Sequence, residues 1–170
     1  MNLKNKIPQA LITTAQSVVG MIVIFSLIGC NRSNTITAFR DNGMPMAEHW
    51  AVESVVSGGS LILKRRFQKR TLQLCGLNNL TPDAKSYVEK KVKHPETIPV
   101  IFTGKDQQGK WYGDIWVSTG NDYKESITGL LLLSGLAELS EDYYNCPNGD
   151  SFKLAENLAR ERKSGIWGRK

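Results

Sequence analysis

Apolar and polar residues alternate along the stretch Ala51–Val56, and a short Ser-Gly-Gly-Ser turn follows it. A repeat of two residues is typical of a β-strand with one buried face, so we predict strands here and at Leu61–Leu63. The polar run Lys64–Arg70 then forms the end of a hairpin, and Thr71–Leu77 provides a third strand. Together these segments predict an antiparallel meander of three strands.

A helix is expected directly after the third strand. Thr81 can cap its N-terminus, Pro82 has the fixed φ suited to the first helical position, and Asp83 meets the positive end of the helix dipole. The spacing of the apolar residues that follow is helical and places them on one face. They are Ala84, Tyr87, Val88 and Val92.

Two further strands and two further helices complete the pattern. We predict strands at Ile98–Phe102 and Trp111–Val117, and a helix at Lys124–Leu133 that ends at Gly135. A third helix should begin at Asp150 or Ser151. Its expected inward residues are Leu154, Ala155, Leu158 and Ala159, and its expected outward residues include Glu156.

The order of these elements predicts the fold. Five strands, with one helix after the third and two helices after the fifth, indicate an α+β protein built on a five-stranded OB-type barrel. In some proteins such a barrel binds oligonucleotides, and in others it binds a partner protein. The fold alone therefore does not determine the function.

The first thirty residues follow a different pattern, typical of an export signal. Lys4 and Lys6 precede a nearly continuous apolar run, 17–28, which is shorter than the roughly 20 residues that a spanning helix prefers. Leu27-Ile28-Gly29-Cys30 is similar to a bacterial lipobox, so we expect a lipid on Cys30 and an exported, membrane-anchored protein. An uncleaved membrane anchor and an unanchored chain are the alternatives. The polar residues 31–48 are then a tether, and the domain covers 49–170.

The chain is mildly basic, with a formal net charge of +6. Runs of charge are usually solvated faces, but a basic hairpin can also contact phosphate or anionic headgroups. Nucleic acid is therefore a possible partner. The basic residues of the predicted hairpin are Lys64, Arg65, Arg66, Lys69 and Arg70.

Two cysteines remain if Cys30 is lipidated. In an exported domain Cys75 and Cys146 are able to form a disulfide. Cys75 lies in an apolar strand pattern, so a buried free thiol is the alternative. His49 and His94 have no cysteine or carboxylate at metal-ligand spacing, and a zinc site is not expected.

From Val52 to Trp167 the sequence resembles the staphylococcal nuclease family. The resemblance is carried by Val55–Leu61, by Leu72–Asn78, by Tyr112-Gly113 and by the ending Gly165-Ile166-Trp167-Gly168. It implies an OB-type barrel with three helices. In active members it implies hydrolysis of phosphodiesters with Ca²⁺, a carboxylate base and two arginines.

The positions that correspond to this machinery carry other residues. The resemblance places Ser57 and Gly59 where the first two metal-binding aspartates belong, and Asn78 where the third carboxylate belongs. Gln73 and Asp114 correspond to the two arginines. The metal site and the phosphate contacts are thus expected to be lost, and no cofactor is expected.

The loop that carries the glutamate base in the family is shortened here, and Asp83 is the nearest carboxylate. The family places aromatic residues near the nucleotide base, and Tyr143 and Tyr144 correspond to them. Together with Tyr112 and the basic hairpin they are the predicted ligand surface. Trp111, Tyr112 and Trp116 could form a platform on which bases stack, although such aromatic residues more often pack the wall of a barrel.

These observations predict an exported, catalytically degenerate binding or assembly module with protein partners in a bacterial envelope complex, such as a DNA-transfer or secretion system. One alternative is a divergent Ca²⁺-dependent nuclease that uses Asp83, Asp114 and Glu96. A second alternative is a non-catalytic nucleic-acid binder that uses the basic hairpin.

Overall fold

The computed structural model of this protein describes residues 38–40, 46–93, 97–119 and 123–168. Cys30, His94 and Glu96 lie outside them. None of the helices in these ranges is long and apolar enough to span a membrane. The strands are β1 Ala38–Arg40, β2 Glu48–Ser57, β3 Ser60–Arg65, β4 Gln68–Leu74, β5 Leu77–Asn78, β6 Ile98–Lys105, β7 Trp111–Ser118, β8 Tyr123–Ser126 and β9 Glu138–Leu139. The helices are α1 Asp83–Val92, α2 Ile127–Leu133 and α3 Gly149–Glu161, and short 3₁₀ helices occupy Tyr143–Asn145 and Gly165–Trp167.

Five of the strands close into a barrel. Strand β3 pairs antiparallel with both β2 and β4, and β4 pairs parallel with β7. Strand β6 pairs antiparallel with β7 and with β2, which closes the circle. These are the five predicted strands in the predicted order, so the OB-type barrel with three helices is confirmed.

The core of the barrel follows the alternation seen in the sequence. In β3, Leu61 and Leu63 are fully buried while Lys64 is exposed. Helix α1 adds Ala84 and Val88 from the predicted face. Other large buried members of the same cluster are Trp50, Leu72, Leu74, Ile115, Ile127, Leu131, Leu132 and Phe152.

Two predictions about chain segments differ from the structure. Residues 38–40, predicted to belong to a tether, form β1 and pair antiparallel with β8. The second helix begins at Ile127 instead of Lys124, because 124–126 pairs with the end of β7. Pairing with a neighbouring strand outweighs the local helical preference of Lys and Glu.

The predicted inward face of α3 is confirmed at Ala155 and Ala159, which are buried, and is wrong at Leu154. Leu154 is 48% exposed, whereas Phe152 is fully buried. Glu156, predicted to point outward, is 8% exposed, and its Oε1 accepts a hydrogen bond from the backbone N–H of Leu139 at 2.9 Å. The helix also begins at Gly149, before the predicted Asp150 or Ser151. A partly buried backbone N–H that needs a partner accounts for the position of this glutamate.

The start of α1 also differs from the prediction. Thr81 makes no side-chain capping hydrogen bond, and Pro82 is the residue immediately before the helix. The backbone N–H of Thr81 donates to the carbonyl of Leu136 at 2.8 Å. Its hydroxyl is buried and has no hydrogen-bond partner among the residues described.

Residues Asn34–Lys170 form a compact unit of their own. The buried apolar side chains of the described residues lie between Trp50 and Ala159. A fragment that begins at Asn34 therefore contains the whole described core, and we expect it to fold independently.

Candidate binding groove

A groove of about 360 Å³ lies where β4 ends, bordered by β5, β7 and the segment that follows β9. Its lining side chains include uncharged amide, hydroxyl and thiol groups, and Asp142 is the carboxylate among its described lining residues. The residues with polar side chains that line it are Gln73, Cys75, Asn78, Thr103, Tyr112, Ser140, Asp142, Asn145 and Cys146.

Gln73 covers the turn between β2 and β3. The strand register places Gln73 opposite Ser60 on one side and opposite Tyr112 on the other. A Cβ built on Gly59 would lie 3.0 Å from Gln73 Nε2, so the amide rests directly against this glycine. The carbonyl of Gly59 accepts a hydrogen bond from the backbone N–H of Leu74 at 2.8 Å. Gly59 thus allows β4 and its amide to close over the turn.

The same turn is held on its other side by α1. A Cβ on Gly58 would lie 2.5 Å from the Cβ of Ala84, so only glycine allows the helix to pack this closely. Ser57 is exposed, and its Oγ accepts a hydrogen bond from the N–H of Gly59 at 3.3 Å. Ser57 is not among the described residues that line the groove.

Asn78 lines the groove from β5. Its Oδ1 accepts a hydrogen bond from the backbone N–H of Asn79 at 2.9 Å. Asn79 has a left-handed φ of 44°, which asparagine tolerates better than most residues, and its Nδ2 donates to Glu138 at 2.8 Å. Asn78 is therefore part of a local turn that leads the chain from the barrel into α1.

Asp114 lies beneath the N-terminus of α2 and not among the described groove residues. Its carboxylate is fully buried and accepts hydrogen bonds from the Ser126 hydroxyl, from the N–H of Thr128 at 3.3 Å and from its neighbour Ile115 at 2.9 Å. Burial raises the pKa of Asp114 to about 6, although the hydrogen bonds from Ser126 and Thr128 act in the opposite direction. The carboxylate thus supports the start of α2.

Residues 66–169 match the family of staphylococcal nuclease homologues. The chain belongs to this family. No curated protein is similar enough to the chain to match it. The matched range contains Gln73, Asn78 and Asp114, while Ser57 and Gly59 precede it.

The groove does not suit the Ca²⁺ ion that the nuclease family implies. Ca²⁺ takes six to eight oxygen ligands, several of them carboxylates. Gln73 and Asn78 offer neutral amides, and Asp142 accepts a hydrogen bond from the hydroxyl of Ser140. Within 46–93, 97–119 and 123–168, no three His, Cys, Asp or Glu side chains are arranged to hold a metal ion.

Two carboxylates of the divergent-nuclease alternative lie within the described residues, and neither lines the groove. Asp83 is exposed in the first turn of α1, and Asp114 is buried under α2. Neither is among the described lining residues. A carboxylate that does not line the groove is not placed to position a water molecule in it.

Cys75 and Cys146 both line the groove, and their side chains lie in hydrogen-bonding contact. The structure has both as free thiols. The hydrogen bond with Cys146, together with burial, raises the pKa of the Cys75 thiol far above its usual range. Gly76 lies beside them with a φ of 75°, and a Cβ there would be 3.2 Å from the sulfur of Cys146. The disulfide stays a prediction.

The two tyrosines predicted to contact a ligand lie next to the groove. The rings of Tyr143 and Tyr144 meet edge to face with centroids 6.2 Å apart, and Tyr144 is 72% exposed. Neither is among the described lining residues, whereas Asn145 is. Sequence reasoning did not identify Asn145 or Thr103, because only the folded chain brings them to the end of β4.

The basic hairpin is partly neutralised. Arg65 and Arg70 both contact Glu48, at 2.7 Å and 3.6 Å, and Lys69 contacts Glu53 at 2.7 Å. The guanidinium of Arg70 also lies 4.2 Å from the ring centre of Trp111. Of the predicted basic ligand surface, Arg70 is therefore packed on the barrel wall, to which Trp111 and the buried Trp116 also belong, whereas the other four basic residues are exposed.

Proposed function

We propose that this domain is a nuclease-like binding module that does not hydrolyse phosphodiesters and that assembles with protein partners in a bacterial envelope complex. The observation that supports the proposal is the amide of Gln73, which rests against Gly59 at the position where the family implies charged groups. Hydrolysis of a phosphodiester requires a metal ion or cations that stabilise the developing negative charge. Neutral amides supply neither.

The groove is chemically suited to a polypeptide. The amides of Gln73, Asn78 and Asn145 both donate and accept hydrogen bonds, as the backbone of a bound peptide does. Tyr112, which is 38% exposed, adds an aromatic surface with a polar tip of the kind enriched in protein interfaces. A polyanion would find no cation among these lining side chains.

The loss of activity can be tested with the Asn34–Lys170 fragment and single-stranded DNA in the presence of Ca²⁺. We expect no cleavage above that of a mock preparation. Cleavage that copurifies with the fragment and disappears in Asp83→Ala, Asp114→Ala or Asp142→Ala would overturn the proposal in favour of a divergent nuclease. The Asp114 variant must first be shown to be folded, because its carboxylate supports α2.

The binding role can be tested in the full-length protein in its own cells by photocrosslinking. A photoreactive amino acid at Tyr112 should yield a discrete protein adduct, whereas the same group at Leu154 should not. Leu154 is a suitable control because it is 48% exposed on α3, away from the lining residues. Equal adducts at both positions would contradict binding through the groove.

We further propose that the domain is exported and held at the membrane through a lipid on Cys30. The apolar run and the lipobox-like Leu27–Cys30 support this. Labelled palmitate should enter the wild-type protein and Cys146→Ser but not Cys30→Ser, and Cys30→Ser should leave the membrane fraction. Recovery of peptides containing Lys4 from the mature protein would favour an uncleaved anchor instead.

Binding of nucleic acid through the basic hairpin is the remaining alternative. The affinity of the hairpin for nucleic acid would fall as the salt concentration rises, and the fall would be steeper the more phosphates it contacts. Because Arg65, Lys69 and Arg70 already contact carboxylates, we expect only weak binding of single-stranded DNA to the fragment even at low salt. Tight, steeply salt-dependent binding would support this alternative.

A further inference from the structure

The tip of the basic hairpin exposes an aromatic ring completely. Arg65 pairs with Gln68 across the hairpin, so β3 and β4 are joined by the two residues Arg66 and Phe67. Phe67 is fully exposed. A large apolar side chain in this position buries no surface and therefore does not stabilise the isolated domain. A contact outside the domain would explain why it is there.

Two other features of the hairpin tip are locally unfavourable. Arg66 has a φ of 54°, in the left-handed region where a two-residue turn normally uses glycine or asparagine. Lys64 lies directly opposite Lys69, and like charges at opposed strand positions repel one another. A sequence that had only to form a turn would avoid both. Local rules are most often broken where a surface serves a function.

The basic side chains of the hairpin that make no ion pair within the described residues lie near Phe67. Arg65 and Arg70 are paired with Glu48, and Arg70 also packs on Trp111. Lys64 and Arg66, in contrast, are exposed and have no ion pair with any residue in the described ranges. The Lys69–Glu53 pair is itself largely exposed, so it holds that lysine only weakly.

We propose that this hairpin tip docks on an anionic phospholipid surface. Phe67 would enter the boundary between headgroups and acyl chains, and Lys64 and Arg66 would contact the anionic headgroups, with Lys69 able to exchange its pair with Glu53 for the same interaction. The proposal does not depend on what the groove binds or on a lipid at Cys30.

The arrangement fits a membrane better than a nucleic acid. Proteins that bind single strands align cations along a groove that follows the backbone, with aromatic rings on which successive bases stack. Here one ring projects from the end of a hairpin, with Arg66 next to it in the turn and the opposed Lys64 and Lys69 on the two strands behind it. A protruding apolar residue with flanking cations complements a flat anionic surface with an apolar interior.

The test uses the Asn34–Lys170 fragment and sedimentation with vesicles of phosphatidylcholine, with or without phosphatidylglycerol. Binding should require phosphatidylglycerol and weaken with salt. Phe67→Ser should weaken partitioning about tenfold. The double variant Lys64→Gln/Arg66→Gln should weaken it about 30-fold, since each basic residue near an anionic leaflet contributes about 1 kcal/mol.

Matched controls remove the same chemistry from other elements. Leu154→Ser removes a partly exposed apolar side chain from α3, and Lys90→Gln/Lys93→Gln removes two exposed charges at the end of α1. Both should partition as the wild type does. The proposal would be overturned if the control variants lost as much vesicle binding as the tip variants, or if binding did not depend on phosphatidylglycerol.

The proposal would also fail if the wild-type fragment did not bind the vesicles and the tip variants lost binding to single-stranded DNA. Nuclease activity in the fragment would overturn the proposed function and leave this result unaffected.

Discussion

The hydroxyl of Ser126 donates a hydrogen bond to the buried carboxylate of Asp114 and accepts one from the backbone N–H of Gly129 at 3.0 Å. The two side chains thus connect β7 to the first turn of α2. Asp114 also accepts a hydrogen bond from the N–H of Thr128. A residue at a position where the family implies a phosphate-binding arginine therefore has a structural role, which accounts for its complete burial.

This arrangement predicts a pH dependence of stability. Burial raises the pKa of Asp114 from 3.8 to about 6, so between these values the folded state binds more protons than the unfolded state. The free energy of unfolding contributed by this group is therefore largest below pH ~4 and falls as the pH rises through ~6, by about 3 kcal/mol. Urea unfolding of the Asn34–Lys170 fragment across this range should show the decline.

Asp114→Asn should flatten this dependence of the free energy of unfolding on pH, whereas Asp150→Asn, which alters an exposed carboxylate, should not. Parallel curves for wild type and Asp114→Asn would contradict the assignment.

The close packing of α1 on the first turn gives a second prediction. Because a Cβ on Gly58 would lie 2.5 Å from the Cβ of Ala84, Gly58→Ala should lower the free energy of unfolding by about 1–3 kcal/mol. Gly104→Ala is the matched control, since no atom lies within 4 Å of a Cβ there. It should be neutral or slightly stabilising, by up to about 1 kcal/mol. Denaturant unfolding of both variants measures the difference, and equal effects would show that the turn relaxes.

The sequence predicted the barrel because its strands have one buried face, and that face leaves a repeat of two residues. It did not predict β8, because these four residues, which include Lys and Glu, form a strand through their pairing with β7 and β1. The buried face of helix α3 was predicted only in part, for a related reason. Its face is set by the buried Phe152 and by Glu156, whose carboxylate accepts a hydrogen bond from Leu139, and an apolar pattern does not reveal a buried carboxylate.

The groove was predictable only in part. Gln73, Asn78 and Tyr112 were identified by resemblance to the family, and the structure brings them together. Asn145 and Thr103 belong to segments distant in sequence, which meet Gln73 only when the barrel closes. Asp114 could not be placed from a strand pattern, because a buried carboxylate and a groove carboxylate occupy the same kind of position in the sequence.

Thr81 gives a prediction from an unsatisfied group. Its buried hydroxyl has no partner among the described residues, and such a group destabilises the folded state. Thr81→Val should therefore be neutral or raise the free energy of unfolding by about 1 kcal/mol. Thr128→Val is the contrast, because the Thr128 hydroxyl donates to the carbonyl of Cys75 at 3.4 Å and its loss should cost about 1–2 kcal/mol. A destabilising Thr81→Val would indicate a hydrogen bond to that hydroxyl in solution, through water.

The neighbouring thiols of Cys75 and Cys146 give the last prediction, which concerns the compartment. Oxidised glutathione should first form a mixed disulfide at Cys146, the more exposed of the two. The Cys75 thiolate then attacks the Cys146 sulfur of this mixed disulfide, which releases reduced glutathione and closes the bridge between the two cysteines. Because burial raises the pKa of Cys75, little of it is thiolate near neutral pH, so this second step should be slow there and faster as the pH rises.

Mass spectrometry of the Asn34–Lys170 fragment should therefore show the glutathione adduct before the bridged form, and Cys75→Ser should stop at the adduct. Cys146→Ser should leave Cys75 unmodified, because a buried thiol is poorly accessible. The bridge closes a loop of about 70 residues and should stabilise the domain by roughly 4 kcal/mol in the chain-entropy model. If the protein is exported, the form recovered from cells should have no free thiols at these two positions. Two thiols that react with Ellman's reagent in the unfolded, unreduced cellular protein would contradict both the bridge and the oxidising compartment.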